Sequence, residues 1–215
     1  DNIYASPVLL SDLKSKAYPD LVVVSPDLGS VTRARSFADK IGAPLAIVDK
    51  RRPAVNQSEV MNVIGDIQGK RVILVDDMID TAGSICKGAE AMIRYGAKEI
   101  YACCTHAVLS GPAIERIRDS AIRELVITNT IRLPEEKRIE KIRTLSVAPV
   151  FAEAIERIYE DLPVSSLFTE APTHVKPIVI QEKLSDLRVS PFGTLSERPF
   201  AAMIYGTLRM PFPPL

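Results

Sequence analysis

The stretch RVILVDDMIDTAGS, residues 71–84, constrains the fold of this chain more than any other. Residues 71–75 form a short apolar run, which is typical of a strand buried inside a sheet. Two carboxylates, Asp76 and Asp77, follow this run, and the small residues 80–84 then open a helix predicted to extend through about Tyr95. A strand, a small-residue loop and a helix start in this order predict an α/β fold with an anion cradle at the loop.

The loop consists of Asp80, Thr81, Ala82, Gly83 and Ser84. Its backbone N–H groups and the positive end of the helix dipole favour a phosphate group. Gly83 lets the backbone approach an anion closely, and the hydroxyls of Thr81 and Ser84 can donate hydrogen bonds or cap the helix. The loop is not a Walker A loop, because the chain contains no GxxxxGK[ST] pattern.

Asp76 and Asp77 suit a different part of the same ligand. Carboxylates do not bind phosphate, but they accept hydrogen bonds from neighbouring sugar hydroxyls or hold Mg²⁺. A phosphate cradle beside a diol acceptor predicts a site for a ribose phosphate. The alternative is an ordinary strand–loop–helix unit with a capping Thr81 or Ser84 and a solvated pair of carboxylates.

Similar units precede and follow this one. Residues 21–25 predict a buried strand, and Asp27 lies at its carboxyl end, where ligands bind in open α/β sheets. Asp27 either contributes to such a site or only caps its turn. We expect Arg33 and Arg35, in the helix that follows, to be solvated, and His106, after the predicted strand 99–105, to be structural.

The helical periodicity predicts which side chains are buried. The expected buried positions of three predicted helices are Val31, Ala34, Phe37, Ala38, Ile41, Ile85, Ala89, Met92, Ile93, Val150, Phe151, Ala154, Ile155 and Ile158. Residues 54–70 predict a short hairpin-like excursion. The whole is a doubly wound, mostly parallel α/β sheet of about five strands, the last of them at 145–147.

A run of three cations follows the predicted strand 44–48. Lys50, Arg51 and Arg52 stand at a strand end before a proline, which suits a loop that grips phosphate. Such charge runs are more often simply solvated. We favour a functional role because the run lies at a strand end, as the other two anion-type loops do.

Charge and cysteine content exclude several classes of function. Lys+Arg and Asp+Glu are both 27, so no net charge favours nucleic acid or a membrane surface. No apolar run of 18 residues occurs in the chain, so we expect no membrane-spanning helix, and we expect no signal peptide. The three cysteines, an odd count without metal-ligand spacing, favour a reducing cytoplasmic location.

The sequence VDDMIDTAGS resembles the ribose 5-phosphate loop of the type I phosphoribosyltransferase superfamily. The segments SPDLGSVTRA, DKRRPAVNQSEVMNVIGDI, YACCTHAVLSGPAIERI and TNTIRLPEEKRI narrow the resemblance to ribose-phosphate diphosphokinases, in the same order along the chain. The resemblance covers residues 1–168. It implies the second of two similar domains, so that this chain is expected to be a fragment without the first.

The resemblance implies transfer of pyrophosphate from Mg·ATP to the 1-hydroxyl of ribose 5-phosphate, in a homo-oligomer. It assigns the ribose hydroxyls to Asp76 and Asp77, the 5-phosphate to residues 80–84, and Mg²⁺ to Asp27. Lys50 and Arg52 are implied to stabilise the transferred group. An isolated fragment is expected to be inactive.

Two other functions remain open. A base phosphoribosyltransferase would share the 76–84 loop, and a non-catalytic, synthetase-associated regulatory subunit would share the fold. Residues 169–215 differ in composition from the rest, with seven of the 16 prolines, and form a tail that we expect to be poorly ordered.

Overall fold

The computed structural model describes residues 3–51 and 60–168. Its centre is a seven-stranded sheet in the order β3-β2-β1-β4-β5-β6-β7. The strands are β1 (Leu21–Ser25), β2 (Leu45–Arg51), β3 (Val60–Ile64), β4 (Arg71–Ile79), β5 (Glu99–Ala107), β6 (Ile122–Thr128) and β7 (Ile142–Leu145). All neighbouring pairs are parallel except β2 and β3, which are antiparallel.

Helices cover both faces of this sheet, as the doubly wound prediction requires. The helices are α1 (Ser6–Lys16), α2 (Val31–Ile41), α3 (Gly83–Arg94), α4 (Ala113–Asp119) and α5 (Ala148–Tyr159), and short 3-10 turns run over Glu135–Lys137 and Val164–Phe168. The α/β prediction is confirmed. The sheet has seven strands rather than about five, and its last strand begins three residues earlier than the predicted 145–147.

The alternation of side chains along the strands divides the core into two layers. Val22, Leu74 and Cys104 face the layer that contains α3 and α4. Val23 and Ile73 face the layer that contains α1 and α2. Strands buried on both faces in this way are continuous apolar runs in sequence, which is why β1 and β4 could be recognised.

The central strand is longer than predicted. β4 extends past Val75 to Ile79, because its pairing with β5 continues through Asp76 opposite Cys104, Met78 opposite His106 and Ile79 opposite Ala107. Asp76 and Asp77 are therefore strand residues and not loop residues. The backbone that presents them is held by a sheet partner.

The predicted excursion after β2 is a β-hairpin, in which Lys50 pairs with Met61 and Arg51 with Val60. Residues 52–59, which include Arg52, lie outside the described residues, and so does the tail 169–215. The domain prediction for that tail stays a prediction. Among residues 3–51 and 60–168, none of the helices combines the length and the hydrophobicity that a membrane span requires.

Four apolar side chains that we predicted to be buried are exposed: Ile93, Phe151, Ile155 and Ile158. Each lies on the side of its helix that faces away from the sheet, whereas Met92, Val150 and Ala154 are buried. On a helix, neighbouring positions differ by about 100°, so a broad apolar stripe is only partly covered by one sheet.

Candidate functional site

The carboxyl ends of parallel strands β1, β2 and β4 lie at one edge of the sheet. Ser25, the last residue of β1, is opposite Ile47 of β2, so Lys50 lies beyond the end of β1 at that edge. β4 is the other neighbour of β1 and carries Asp76 and Asp77 past the last β1–β4 pair, Val24 with Leu74. The topology thus brings the three predicted loops to the same edge, where open α/β sheets bind ligands.

A side chain that we expected to be solvated links helix α2 to the carboxyl end of β4. Arg33, on the first turn of α2, donates from Nη2 to Oδ2 of Asp77 at 2.7 Å and from Nη1 to Oδ1 of Asp76 at 3.5 Å. Arg33 is exposed, as we expected, but its ion pair with these carboxylates was not predicted. No local pattern indicates this pairing, because it depends on β1 and β4 being neighbours in the sheet.

The two carboxyls differ in proton affinity. Burial raises the pKa of Asp76 to about 6, and sharing a hydrogen bond with Asp77 adds to the increase. Burial alone would also raise the pKa of Asp77, but hydrogen bonding from Asp76 and the charge of Arg33 outweigh it and lower that pKa. Of the two carboxyls, Asp76 therefore keeps its proton to the higher pH.

The loop after β4 begins α3, but its capping differs from the prediction. The residue that caps the helix is Ala82, with a left-handed φ of 58°, and neither Thr81 nor Ser84 supplies a side-chain cap to α3. The helical run starts at Gly83, whose φ is not in the left-handed range, so its conformational freedom is not what the turn uses. A left-handed residue before a helical one turns successive N–H groups to one side, which is the geometry of an anion nest.

Residues of the next strand–helix unit hold this loop. The Ser110 hydroxyl donates to the Asp80 carboxylate, and Nη1 of Arg116 donates to the carbonyl oxygen of Thr81 at 2.9 Å. Sequence reasoning missed both residues. The only signal was their position in the segment HAVLSGPAIER, directly after the strand that is adjacent to β4 in the sheet.

Asp27 follows β1 and is half-buried. Its Oδ1 accepts a hydrogen bond from the Ser30 backbone N–H at 2.8 Å. At least one oxygen of Asp27 therefore caps the turn, as the turn-capping alternative predicts. An oxygen donor of this kind fits Mg²⁺, which is usually held by one or two carboxylates together with water and substrate phosphates. Over residues 3–51 and 60–168, no group of three or more His, Cys, Asp or Glu residues is placed to hold a metal.

His106 has a structural partner, in keeping with our expectation. Its Nδ1 lies 3.0 Å from the Thr130 hydroxyl, which in turn donates to the carbonyl oxygen of Thr105 at 2.9 Å. The three cysteines are all free and buried, and burial strongly raises the pKa of the Cys103 and Cys104 thiols. These groups form no constellation for nucleophilic chemistry.

Comparisons with known proteins match one part of longer chains. A family model described as the phosphoribosyl synthetase-associated domain matches residues 50–169. A ribose-phosphate pyrophosphokinase of Caldanaerobacter subterraneus subsp. tengcongensis is 62% identical over 170 residues, which are 79% of this chain and 54% of that protein. The enzyme of the same name from Clostridium acetobutylicum is 66% identical over 151 residues, 70% of this chain and 47% of that protein.

A solved structure agrees with these matches. The crystal structure of phosphoribosylpyrophosphate synthetase from Mycobacterium smegmatis superposes with a TM-score of 0.67 at 39% identity, covering 73% of this chain and 51% of that chain. The chain thus spans about half the length of the curated relatives it matches.

Proposed function

Because this chain belongs to the phosphoribosyl synthetase-associated domain family, we propose that it supplies the ribose 5-phosphate site of a ribose-phosphate pyrophosphokinase. The reaction transfers pyrophosphate from ATP to the 1-hydroxyl of ribose 5-phosphate and yields phosphoribosyl pyrophosphate and AMP. The observation that supports this best is the pair Asp76 and Asp77 on β4, followed within a few residues by the amide loop 80–84.

The two ends of ribose 5-phosphate fit the two halves of this arrangement. The ionised carboxylates of Asp76 and Asp77 accept hydrogen bonds from the two ring hydroxyls, and Arg33 limits their mutual repulsion. The backbone N–H groups of residues 80–84 receive the 5-phosphate at the positive end of α3. A sugar held at both ends keeps its 1-hydroxyl in one position, which is a large part of catalysing group transfer.

The transferred group requires positive charge at the edge of the sheet. Lys50, at the carboxyl end of β2, and Arg52 are proposed to stabilise the charge that develops on the pyrophosphoryl group. Asp27 is proposed to supply one oxygen ligand to a Mg²⁺ ion that is also bound by the phosphates of ATP. Bound Mg²⁺ would neutralise phosphate charge, and the cations would act on the same group from the protein side. We propose that the protein acts as a homo-oligomer in the cytoplasm.

Calorimetric titration of the folded chain with ribose 5-phosphate tests the proposed site. We expect binding that Asp77→Asn weakens roughly 10- to 100-fold, the range expected for losing hydrogen bonds to a charged acceptor. Asp66→Asn is the matched control, because Asp66 precedes β4 and therefore lies at the opposite end of that strand. Absence of binding by the folded wild-type chain at millimolar ligand would overturn the proposal.

The activity itself is measured as AMP release from ATP and ribose 5-phosphate with Mg²⁺, in a complete enzyme that contains this chain. Binding of ribose 5-phosphate without AMP release in that enzyme would favour the regulatory subunit. Transfer of the sugar phosphate to a free base would favour the phosphoribosyltransferase instead.

A further inference from the structure

Three successive carbonyl groups in the phosphate loop are turned toward a single segment, residues 109–116. The Leu109 and Ser110 backbone N–H groups donate to the carbonyl oxygens of Ile79 and Asp80 at 3.1 and 3.0 Å, and the Arg116 guanidinium donates to that of Thr81 at 2.9 Å. The segment that follows β5 therefore binds the outer side of the loop along its first three peptide groups.

This contact determines where the loop's N–H groups point. In a trans peptide the carbonyl and the N–H of the same peptide unit point in opposite directions. Because the carbonyls of Ile79, Asp80 and Thr81 face residues 109–116, the N–H groups of Asp80, Thr81 and Ala82 face away from that segment. The inner side of the loop thereby becomes a row of donors before any ligand binds.

The third of these peptide groups, between Thr81 and Ala82, depends most on a stabilising contact. Ala82 has a left-handed φ of 58°, which costs an alanine roughly 1–2 kcal/mol. The peptide that leads into Ala82 is fixed by the side chain of Arg116, whereas the two preceding peptides are fixed by backbone N–H groups. A substitution at Arg116 can therefore release this peptide and leave the other two in place.

We propose that Arg116 and Ser110 are positioning residues for the phosphate of ribose 5-phosphate. Arg116 orients the Thr81–Ala82 peptide so that its N–H faces the phosphate, and the Ser110 hydroxyl orients the Asp80 carboxylate away from it. This inference rests on the proposed function, since the phosphate belongs to the same ligand. Preformed donors lower the entropy cost of binding, and an arginine near the loop also favours the anion electrostatically.

The test compares the full chain with Arg116→Met, Arg116→Lys and Arg118→Met by calorimetry with ribose 5-phosphate. Methionine removes donor and charge at similar length, and we expect it to weaken binding about tenfold, equivalent to one lost charge-assisted hydrogen bond. Lysine keeps one donor and the charge, so it should restore most of the affinity. Arg118, exposed on the same helix, is the matched control and should bind as wild type does.

A spectroscopic readout separates positioning from a general loss of structure. In ¹H–¹⁵N spectra, inorganic phosphate should shift the amide signals of Thr81, Ala82 and Gly83 in the wild type. Arg116→Met should reduce the shift of Ala82 most, while its remaining spectrum stays that of the folded chain. If Arg116→Met does not fold, the same calorimetry on Ser110→Ala tests the inference. We expect this variant to lose roughly threefold to fivefold in affinity for ribose 5-phosphate.

Two results overturn the inference and are distinguishable. If wild type binds ribose 5-phosphate and Arg116→Met binds it equally well, Arg116 has no positioning role and the proposed function stands. If the folded wild type binds neither ribose 5-phosphate nor phosphate, the proposed function fails and this inference fails with it.

Discussion

Arg143 and Arg33 each face two carboxylates, but the two pairs of carboxylates differ in how fully they are hydrogen-bonded. Arg143, on β7, donates from both Nη atoms to the Asp12 carboxylate at 2.7 and 2.6 Å and from Nε to Glu124 at 2.6 Å. Arg33 reaches Asp77 at 2.7 Å but Asp76 only at 3.5 Å. The first arginine satisfies both of its partners with three short hydrogen bonds, and the second does not.

Proton affinity reflects this difference. Burial alone would raise the pKa of Glu124, but hydrogen bonds from Arg143 and Lys16 outweigh it and lower that pKa. Hydrogen bonding to Asp12, and then to Glu124, raises the pKa of Arg143 despite its burial. At the sheet edge, by contrast, the pKa of Asp76 is raised to about 6.

The comparison separates a structural cluster from a site. The ion pairs of Arg143 connect β7 to α1 and β6. Their charges are balanced within the folded chain, without any ligand. The Asp76–Asp77 pair leaves negative charge that the fold does not neutralise, as expected for groups that await a ligand. The shifted pKa of Asp76, on a strand that pairs with β5, therefore supports the proposed binding role beyond the sequence motif.

The largest effect on stability should come from the structural cluster. Arg143→Met leaves two partly buried carboxylates without their main partner, so we expect a loss of roughly 2–3 kcal/mol in the free energy of unfolding. Denaturant titration measures it. The matched control is Arg123→Met, because Arg123 also pairs with a carboxylate, Glu99, but is 65% exposed and should cost less than about 1 kcal/mol.

Equal losses in these two variants would contradict the structural role of Arg143. Ribose 5-phosphate affinity gives a second criterion, because the folded Arg143→Met chain should bind the ligand as wild type does.

Replacing Arg33 by methionine should have a much smaller effect on the free energy of unfolding. Arg33 is 42% exposed, so Arg33→Met should change the free energy of unfolding by about 0.5 kcal/mol or less. Because the charge of Arg33 lowers the pKa of Asp76, its removal should raise that pKa further, as measured by carboxyl NMR titration. Arg35→Met, an exposed arginine on the same helix, should leave the Asp76 titration unchanged. If Arg33→Met lost as much stability as Arg143→Met, Arg33 would have the same structural role as Arg143, and the contrast between the two arginines would be wrong.

Local patterns predicted the parts of this structure that depend on neighbouring residues. The apolar runs of β1 and β4 and the small-residue loop at 80–84 were recognisable because burial on both sheet faces and helix initiation leave signals within a few residues. The family resemblance placed the site on the same loop, and the family match confirms that resemblance.

Features that depend on the sheet order were not predictable in this way. The pairing of Arg33 with Asp77 joins residues 44 positions apart, and the contact of Arg116 with Thr81 joins residues 35 apart. The extension of β4 to Ile79 depends on how far β5 continues beside it. The exposed apolar residues of α5 could not be predicted for the same reason. Helical periodicity shows that a helix has an apolar face, but not whether another element covers that face.

The decisive measurement is the stability of Asp76→Asn as a function of pH, together with its affinity for ribose 5-phosphate. A carboxyl whose folded pKa is raised above its ordinary value opposes folding once it ionises, and the penalty grows as pH rises through about 6. Asparagine imitates the protonated side chain and can still donate to Asp77. Asp76→Asn should therefore be more stable than wild type at pH 8, with the difference vanishing near pH 4.

The matched variant is Glu124→Gln, for which the sign is reversed. The folded pKa of Glu124 is lowered, so its charge stabilises the fold above its ordinary pKa, and this contribution is lost as pH falls below that value. We predict that Asp76→Asn gains stability at pH 8 and binds ribose 5-phosphate more weakly, while Glu124→Gln loses stability and binds normally. An Asp76→Asn chain that is less stable at pH 8 and binds the ligand as tightly as wild type would contradict it.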